Sequence, residues 1–144
     1  MKKILLSLAL MLASAGAFAE DIVGKWQTEA GDATVEIYQE GNVFNGKIVW
    51  LAKGPETLDT HNTDKSLRSR KLMGVHLLSG LKKSGDKWED GKIYNPKNGK
   101  TYRCSMWLEG KELKVRGHLG IFHETQTWKR KYAPERPRSS AIHL

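Results

Sequence analysis

The chain is poor in the residues that form disulfides and metal sites. Its 144 residues contain a single cysteine, Cys104, which excludes an internal disulfide. The five histidines form no His-x-x-x-His pair and have no Cys-x-x-Cys partner, and neither a Gly-x-Ser-x-Gly elbow nor a Gly-x-x-x-x-Gly-Lys-Ser/Thr loop occurs. We therefore expect a noncatalytic protein that has no catalytic residues, no metal and no cofactor.

Long apolar runs are also missing beyond residue 19. The preceding segment differs, because two lysines lead into an apolar stretch at 4–13, and Ala17-Phe18-Ala19 has the small-x-small form of a cleavage site. We predict a signal peptide over 1–19 that is cleaved after Ala19. The protein is then periplasmic or secreted, and it does not span a membrane.

The charge balance is basic. The formal net charge is +8, and the predicted signal peptide carries two of the positive charges. Because the lysines and arginines are spread along the chain and export is expected, we do not expect nucleic-acid binding. A basic surface instead favours solubility, or a weak contact with an anionic surface of the cell envelope. The sequence does not indicate an oligomeric state.

Short segments with alternating apolar residues dominate the chain after the predicted signal peptide. Glycine-bearing turns separate them at intervals of about ten residues, which is typical of β-sandwiches and barrels. The predicted strands are 24–28, 33–39, 44–51, 74–82, 87–94, 100–108, 112–119 and 124–130. Since closure removes the exposed edges of a sheet, we predict an all-β domain over 20–132, a single antiparallel barrel of eight (eight to ten) strands.

Two segments interrupt this rhythm. Residues 53–71 are polar and too numerous for a hairpin turn, so we predict one short helix or a long loop between strands 3 and 4. Thr63 is the predicted helix cap, and Asp64 and Arg68 have the spacing of a helical ion pair. Residues 133–144 contain two prolines and two arginines without an apolar period, which predicts a disordered tail.

Oxygen-bearing side chains are concentrated in the polar segment, at Asp59, Asn62 and Asp64. An EF-hand calcium loop counted from Asp59 requires glycine at its sixth position and glutamate at its twelfth, where this chain has Asp64 and Arg70. We interpret Asp59, Asn62, Asp64 and Arg68 as a structured loop whose side chains bond nearby backbone, or as a contact for a ligand at the rim of the barrel.

Alternation assigns side chains to the interior of the barrel, because successive residues of a strand point to opposite faces. The predicted inward residues are Val35, Ile37, Phe44, Gly46, Ile48, Trp50, Tyr102, Cys104, Met106, Leu108, Leu113, Val115, Gly117 and Leu119. Trp107 falls on the outward phase. An eight-stranded barrel has room for side chains alone or for one small ligand, so the pattern leaves both possibilities open.

A longer set of residues resembles a known family. Gly24-Lys25-Trp26 in the first strand, with Arg130 in the last, is similar to the lipocalin arrangement in which an arginine covers a tryptophan at the base of the barrel. The further motifs are Asp59-x-x-Asn62-x-Asp64, Leu67-Arg68, Leu72-x-Gly74, Gly91-x-Ile93-Tyr94-x-Pro96-x-x-Gly99-Lys100-x-Tyr102, Val115-Arg116-Gly117-x-x-Gly120 and Thr125-Gln126-x-Trp128-x-Arg130. Together they resemble the exported bacterial family DUF2147, a domain of unknown function. The resemblance implies a lipocalin-like barrel with Gly24, Trp26, Trp128 and Arg130 at its base, and it implies no established reaction.

Two functions are compatible with such a barrel. The first is a noncatalytic binding protein that holds a small hydrophobic or amphipathic ligand, and its candidate ligand-binding residues are Trp50, Tyr94, Tyr102, Arg103, Arg116 and Gly117. Alternation directs Arg103 and Arg116 outward, so they reach an acidic head group only at the rim or after a β-bulge. The alternative is an envelope interaction protein whose barrel is filled by tryptophans and which acts through its surface loops.

Cys104 provides a direct test of the predicted strand phase. Its alternation with Tyr102 and Met106 directs the thiol inward, and burial in apolar surroundings suppresses the reactive thiolate. The folded protein should therefore not react with Ellman's reagent, whereas protein unfolded in guanidinium chloride should react at its single thiol. Rapid stoichiometric labelling of the folded protein would show that the phase is wrong.

Overall fold

The described part of the chain is built from strands joined mostly by tight turns. The structure is a computed structural model that describes residues 21–132, and the predicted signal peptide and tail lie outside the described residues. The strands are β1 (Gly24–Gln27), β2 (Ala33–Glu40), β3 (Val43–Leu51), β4 (His76–Ser84), β5 (Lys87–Asn95), β6 (Lys100–Glu109), β7 (Glu112–Leu119) and β8 (Phe122–Arg130). Each pairs antiparallel with the next, and β8 pairs with β1 to close the barrel. The predicted eight-stranded all-β fold is confirmed.

The connections between strands define two ends of the barrel. Tight turns join β2 to β3, β4 to β5 and β6 to β7 at one end, which we call the base. The opposite end, which we call the mouth, carries the β1–β2, β5–β6 and β7–β8 turns and the long β3–β4 loop, residues 52–75. Within residues 21–132, no helix has the length and apolar character needed to cross a membrane.

The helix predicted between β3 and β4 is a single turn of 3-10 helix, Lys65–Leu67. Its N-cap is Asp64 and not the predicted Thr63, because a carboxylate oxygen of Asp64 accepts the Ser66 N–H at 3.0 Å. The predicted pair of Asp64 with Arg68 is also wrong. One turn offers no helical i,i+4 geometry, and Arg68 Nε instead donates to the carbonyl oxygen of Asn62 at 2.7 Å.

The base half of the barrel is filled by side chains. Trp26, Trp88 and Trp128 are among the largest fully buried residues. Ile22, which precedes β1, is also fully buried, and its carbonyl oxygen accepts Trp26 Nε1–H at 2.8 Å. Burial of each indole contributes about 4–6 kcal/mol of transfer free energy, because an aromatic side chain removes roughly 150–250 Å² from water. This aromatic core makes the base a rigid floor for the other half.

Alternation predicts the interior correctly except where a strand contains an irregularity. Trp50 was expected to point inward, yet it is 44% exposed. The pairing of β2 with β3 shifts there, because Thr34 pairs with Trp50 whereas Val35 pairs with Ile48. A β-bulge therefore reverses the phase at the end of β3, and Leu51 lines the interior in place of Trp50.

Cys104 occupies the inward phase of β6 and is 2% exposed. Burial raises the pKa of its thiol to about 12. The nucleophilic thiolate is therefore scarce at neutral pH, which is the physical basis for the labelling result expected above.

Closure of the barrel rests on a short pairing between β1 and β8. Two residue pairs join these strands, Trp26 with Arg130 and Gln27 with Lys129. Farther toward the mouth, the Glu29 side chain accepts the Thr127 N–H at 2.7 Å, so a carboxylate continues the contact where strand pairing ends. The closing seam is consequently the shortest pairing in the barrel.

Arg130 covers this seam. Its guanidinium carbon lies 4.2 Å from the centroid of the Trp26 ring, and its Nη1 and Nη2 donate to the carbonyl oxygens of Val23 and Asp21 at 3.0 and 2.8 Å. Gly24 permits this approach, because a Cβ at this position would lie only 2.8 Å from Nη1. Its φ of +132° is also a backbone conformation that residues other than glycine rarely adopt. The arrangement that the lipocalin resemblance implies is thus present in the geometry.

We predict that Arg130→Ala lowers the thermal midpoint by about 5 °C or more. The expected loss is on the order of 1–2 kcal/mol for a partly desolvated cation–π contact, and the two hydrogen bonds add to it. Thermal unfolding followed by circular dichroism measures the change. Lys129→Ala, at the exposed neighbouring position, is the control and should leave the midpoint within about 1 °C. Equal midpoints for the two variants would contradict a structural role for Arg130.

Candidate functional site

The mouth half of the barrel contains a cavity of about 630 Å³ that is open to solvent. This volume lies within the range of roughly 300–1,000 Å³ that is usual for small-molecule sites. Apolar side chains form its walls, among them Ile48, Leu51, Leu72, Leu77, Ile93, Val115 and Trp128. Polar and charged side chains lie around its rim, among them Glu29, Asp32, Lys53, His61, Lys97 and Glu124. Such a pocket can enclose an apolar group while a polar group stays at the opening.

Gly117 provides part of the empty volume. A Cβ built at this position would meet only Ile93 Cγ2, at 3.8 Å, so the space beside β7 is open. Gly46, the other glycine predicted to point inward, leaves no such space. A Cβ there would lie 2.9 Å from Val35 Cγ1 and 3.1 Å from Leu78 Cδ1, because neighbouring side chains already occupy the space.

Three of the predicted ligand-binding residues, Tyr94, Tyr102 and Gly117, line the cavity. Trp50 lies outside it because of the bulge in β3. Arg103 and Arg116 lie outside it as well, because the β6–β7 pairing runs without a shift and leaves both on the outward phase.

Arg116 has a defined position on the outer surface. Its Nε donates to Thr125 Oγ1 at 2.8 Å, and its guanidinium carbon lies 4.7 Å from the centroid of the Trp107 ring. Trp107 is therefore outward, as predicted, and is partly covered by this cation.

The β3–β4 loop is anchored at the mouth by a buried carboxylate. The Asp59 side chain is completely buried and accepts three hydrogen bonds: from Tyr94 Oη at 2.6 Å, Asn62 Nδ2 at 2.8 Å and Arg70 Nε at 3.0 Å. The Arg70 guanidinium also lies 5.8 Å from the centroid of the Tyr94 ring. Because Tyr94 belongs to β5, this cluster fastens the loop to the barrel wall.

Further hydrogen bonds extend the cluster through the loop. Asn62 Oδ1 accepts the Asp64 N–H at 2.8 Å, so the four predicted loop residues form one network. The loop then packs on the β5–β6 turn at Gly99, whose φ is +73° and where a Cβ would overlap the carbonyl of His61. Glycine is therefore required at this contact.

Competing influences act on the pKa of Asp59. Burial is the largest of them and opposes ionisation, but the hydrogen bonds from Asn62, Tyr94 and Arg70 together outweigh it and hold the pKa below its ordinary value of 3.8. Burial and the Asp59 carboxylate raise the pKa of Tyr94 to about 12. At neutral pH the pair thus consists of an ionised carboxylate and a neutral phenol that donates to it.

Sequence reasoning missed Arg70 and most of the cavity wall. Arg70 lies eleven positions from Asp59, beyond any local pairing rule, and the two meet because the loop folds back at the Leu58–Lys71 bridge. The wall residue Ile93 could have been predicted as inward, since it lies opposite the inward Tyr102 in the β5–β6 pairing.

Two histidines face each other across the β7–β8 hairpin. The ring centroids of His118 and His123 are 6.5 Å apart, and His118 Nε2 lies 3.0 Å from Ser105 Oγ. Burial, followed by the charges of Arg103 and Arg116, lowers the pKa of His118. Within the described part of the chain, no group of three or more His, Cys, Asp or Glu side chains is arranged to hold a metal ion.

Comparison with known proteins places these features in context. The model of a bacterial family, DUF2147, described as an uncharacterised protein conserved in bacteria, matches residues 24–130. A solved structure from Helicobacter pylori, described as belonging to the lipocalin family, is similar with 27% sequence identity and a TM-score of 0.69. That similarity covers 78% of this chain and 84% of the other. Among curated proteins, no sequence matches this chain.

We predict that the protein loses the stability contributed by the Asp59 cluster at acid pH. Because the folded pKa of Asp59 lies below the unfolded value of 3.8, its contribution is complete above that value and is lost as the pH falls through the folded pKa. Asp59→Asn should therefore cost on the order of 1–3 kcal/mol at neutral pH, and the difference from the unmodified protein should shrink as the pH falls below 3.8.

Denaturant unfolding at a series of pH values measures this dependence. Asp86→Asn, at an exposed position in the β4–β5 turn, is the matched control and should follow the unmodified protein throughout. A cost of Asp59→Asn that stays constant from neutral to acid pH would show that the Asp59 carboxylate is not ionised in the folded protein.

Proposed function

Because the chain belongs to the bacterial DUF2147 family and forms a closed lipocalin-like barrel, we propose that it is a noncatalytic exported protein that binds a small hydrophobic or amphipathic ligand. The observation that carries the proposal is the cavity of about 630 Å³, with its apolar walls and polar rim. An open pocket of this size leaves its apolar walls in contact with water, and a ligand that covers those walls removes that apolar surface from water.

The apolar walls favour a ligand with an extended hydrocarbon part. Burial of about ten methylene groups contributes on the order of 8 kcal/mol, before the cost of immobilising the ligand. A dissociation constant from micromolar to high micromolar is therefore expected for a chain of that length.

The rim favours a polar or acidic head group at the opening. The two arginines first considered for this role are on the outer surface, and Lys53 and Lys97 at the rim are better placed. Lys97 Nζ lies 3.6 Å from Asp32 Oδ2, so Lys53 is the cation that a head group can approach without displacing that partner. The neighbouring acids Glu29 and Glu124 restrict how many negative charges the rim accepts.

The filled-barrel alternative has weaker support. Tryptophans fill the base half, as that alternative requires, but the space beside Gly117 in the mouth half is open. A protein that acted through its loops alone would not need this space.

We predict saturable binding of dansyl-labelled undecanoic acid, measured by its fluorescence increase, with one site per chain. Gly117→Leu projects a side chain into the cavity and should weaken binding by about tenfold or more, while Gly117→Ala should have a smaller effect. Thr101→Leu, which places a leucine at an exposed position of β6, should bind as the unmodified protein does.

The thermal midpoint of each variant separates a filled cavity from a damaged fold. Binding that is not saturable, or that Gly117→Leu leaves unchanged while the variant remains folded, would contradict the proposal.

A further inference from the structure

The tip of the β7–β8 hairpin exposes a cluster of apolar side chains. Leu119, Ile121 and Phe122 are 45%, 90% and 71% exposed. They lie within two residues of Gly120 in the turn, so all three are at the mouth of the barrel, with Leu119 also lining the cavity. Contiguous apolar exposure of this kind marks a contact surface, whereas scattered single residues do not. We refer to Leu119, Ile121 and Phe122 as the apolar tip.

Positive charge lies beside the apolar tip. Arg103 pairs with His118 across β6 and β7, and His118 pairs with His123 across β7 and β8, so a row of basic side chains crosses three strands. Arg116 lies one step farther from the tip on the same outward face. We refer to Arg103, Arg116, His118 and His123 as the basic row.

Among the residues that the structure describes, the arginines of the basic row have no acidic partner. The ion pairs found among residues 21–132 involve neither Arg103 nor Arg116. Glu124 pairs with Gly117, next to Arg116, but it lines the cavity and is therefore on the other face of the sheet. The row thus presents charge that an anionic partner can neutralise without breaking an existing pair.

An anionic bilayer surface is the partner that matches both features. Apolar side chains at a loop tip enter the region between head groups and acyl chains, and cations directly behind them pair with lipid phosphates. A soluble anion would match the basic row and leave the apolar tip unexplained. The formal net charge of +8, which becomes +6 (8 − 2) without the two lysines of the predicted signal peptide, acts in the same direction by attracting the whole protein to an anionic surface.

The position of the apolar tip relates this surface to the cavity. Leu119 and Glu124, on either side of the turn, both line the cavity. The first half of β8 also extends beyond its pairing with β1, which involves only Lys129 and Arg130 of β8. Contact through the apolar tip would bring the mouth, and this less tightly paired wall, next to the lipid.

We infer that the apolar tip and the basic row together dock the mouth of the barrel onto an anionic phospholipid surface. The tip inserts into the interfacial region while Arg103 and Arg116 contact phosphate groups. This role goes beyond ligand binding and does not depend on an occupied cavity.

Flotation of the protein with vesicles tests the inference. Vesicles of phosphatidylcholine containing phosphatidylglycerol should carry the protein, and vesicles of phosphatidylcholine alone should carry much less. Ile121→Ser combined with Phe122→Ser should weaken binding to the anionic vesicles by about tenfold or more. Tyr132→Ser, which removes an aromatic side chain that is 70% exposed outside the apolar tip, is the matched control and should not weaken it.

The charge component has its own pair of variants. Arg103→Gln combined with Arg116→Gln should weaken vesicle binding by about fivefold per arginine. Lys82→Gln combined with Lys111→Gln removes the same charge from exposed positions toward the base and should have a much smaller effect. Equal losses for the two pairs would show that net charge alone attracts the protein, which would overturn the docking geometry.

A probe at the apolar tip reports insertion directly. In a Cys104→Ala background, Ile121→Cys labelled with an NBD fluorophore should shift to the blue on addition of anionic vesicles. The same label at Asn42→Cys, in the β2–β3 turn at the base, should not shift.

Two further outcomes would exclude docking through the apolar tip. Vesicle binding without a shift at residue 121, or no binding to anionic vesicles, would overturn the inference. Binding of dansyl-undecanoic acid is measured without vesicles, so loss of docking and loss of ligand binding are distinguishable.

Discussion

The contact between Arg130 and Trp26 is the interaction on which the rest of this barrel depends. β1 and β8 share two residue pairs, fewer than any other neighbouring strands, and the guanidinium spans this seam by stacking on the indole and bonding two carbonyl oxygens. Without closure, two strand edges would lose their partners and the interior would open to water. Gly24 is part of the same arrangement, because a side chain there would displace the arginine.

Closure produces a barrel whose two halves have different contents. Trp26, Trp88 and Trp128 fill the base, and this packing provides stability that the mouth does not need to supply. Toward the mouth, Gly117 leaves space next to Ile93, and the interior becomes a cavity. The barrel is therefore filled in its base half and hollow in its mouth half, which carries the long β3–β4 loop.

The shape of the mouth depends on a buried polar cluster. Asp59 binds Tyr94 of β5 and Arg70 of the β3–β4 loop through charge-assisted hydrogen bonds, which hold a polar segment in one position over the barrel. A rim that is ordered before a ligand arrives lowers the entropy cost of binding. The β7–β8 hairpin on the other side of the mouth is different, since its exposed Ile121 and Phe122 have few neighbours to hold them. One part of the mouth is thus preorganised and another part is available for contact.

The sequence by itself determined the strand order, the turns, the closed barrel and the inward phase of regular strands such as β6, where Cys104 is buried as alternation predicts. The strands and their inward phase follow from local periodicity, since a strand repeats every two residues, and closure follows from the exposed edges that an open sheet would leave. Only the tertiary structure decided the cavity, the reversal of Trp50 by a bulge, and the meeting of Asp59 with Arg70 and Tyr94. Bulges, voids and distant ion pairs depend on how neighbouring strands align and how much volume their side chains leave, and local periodicity contains neither quantity.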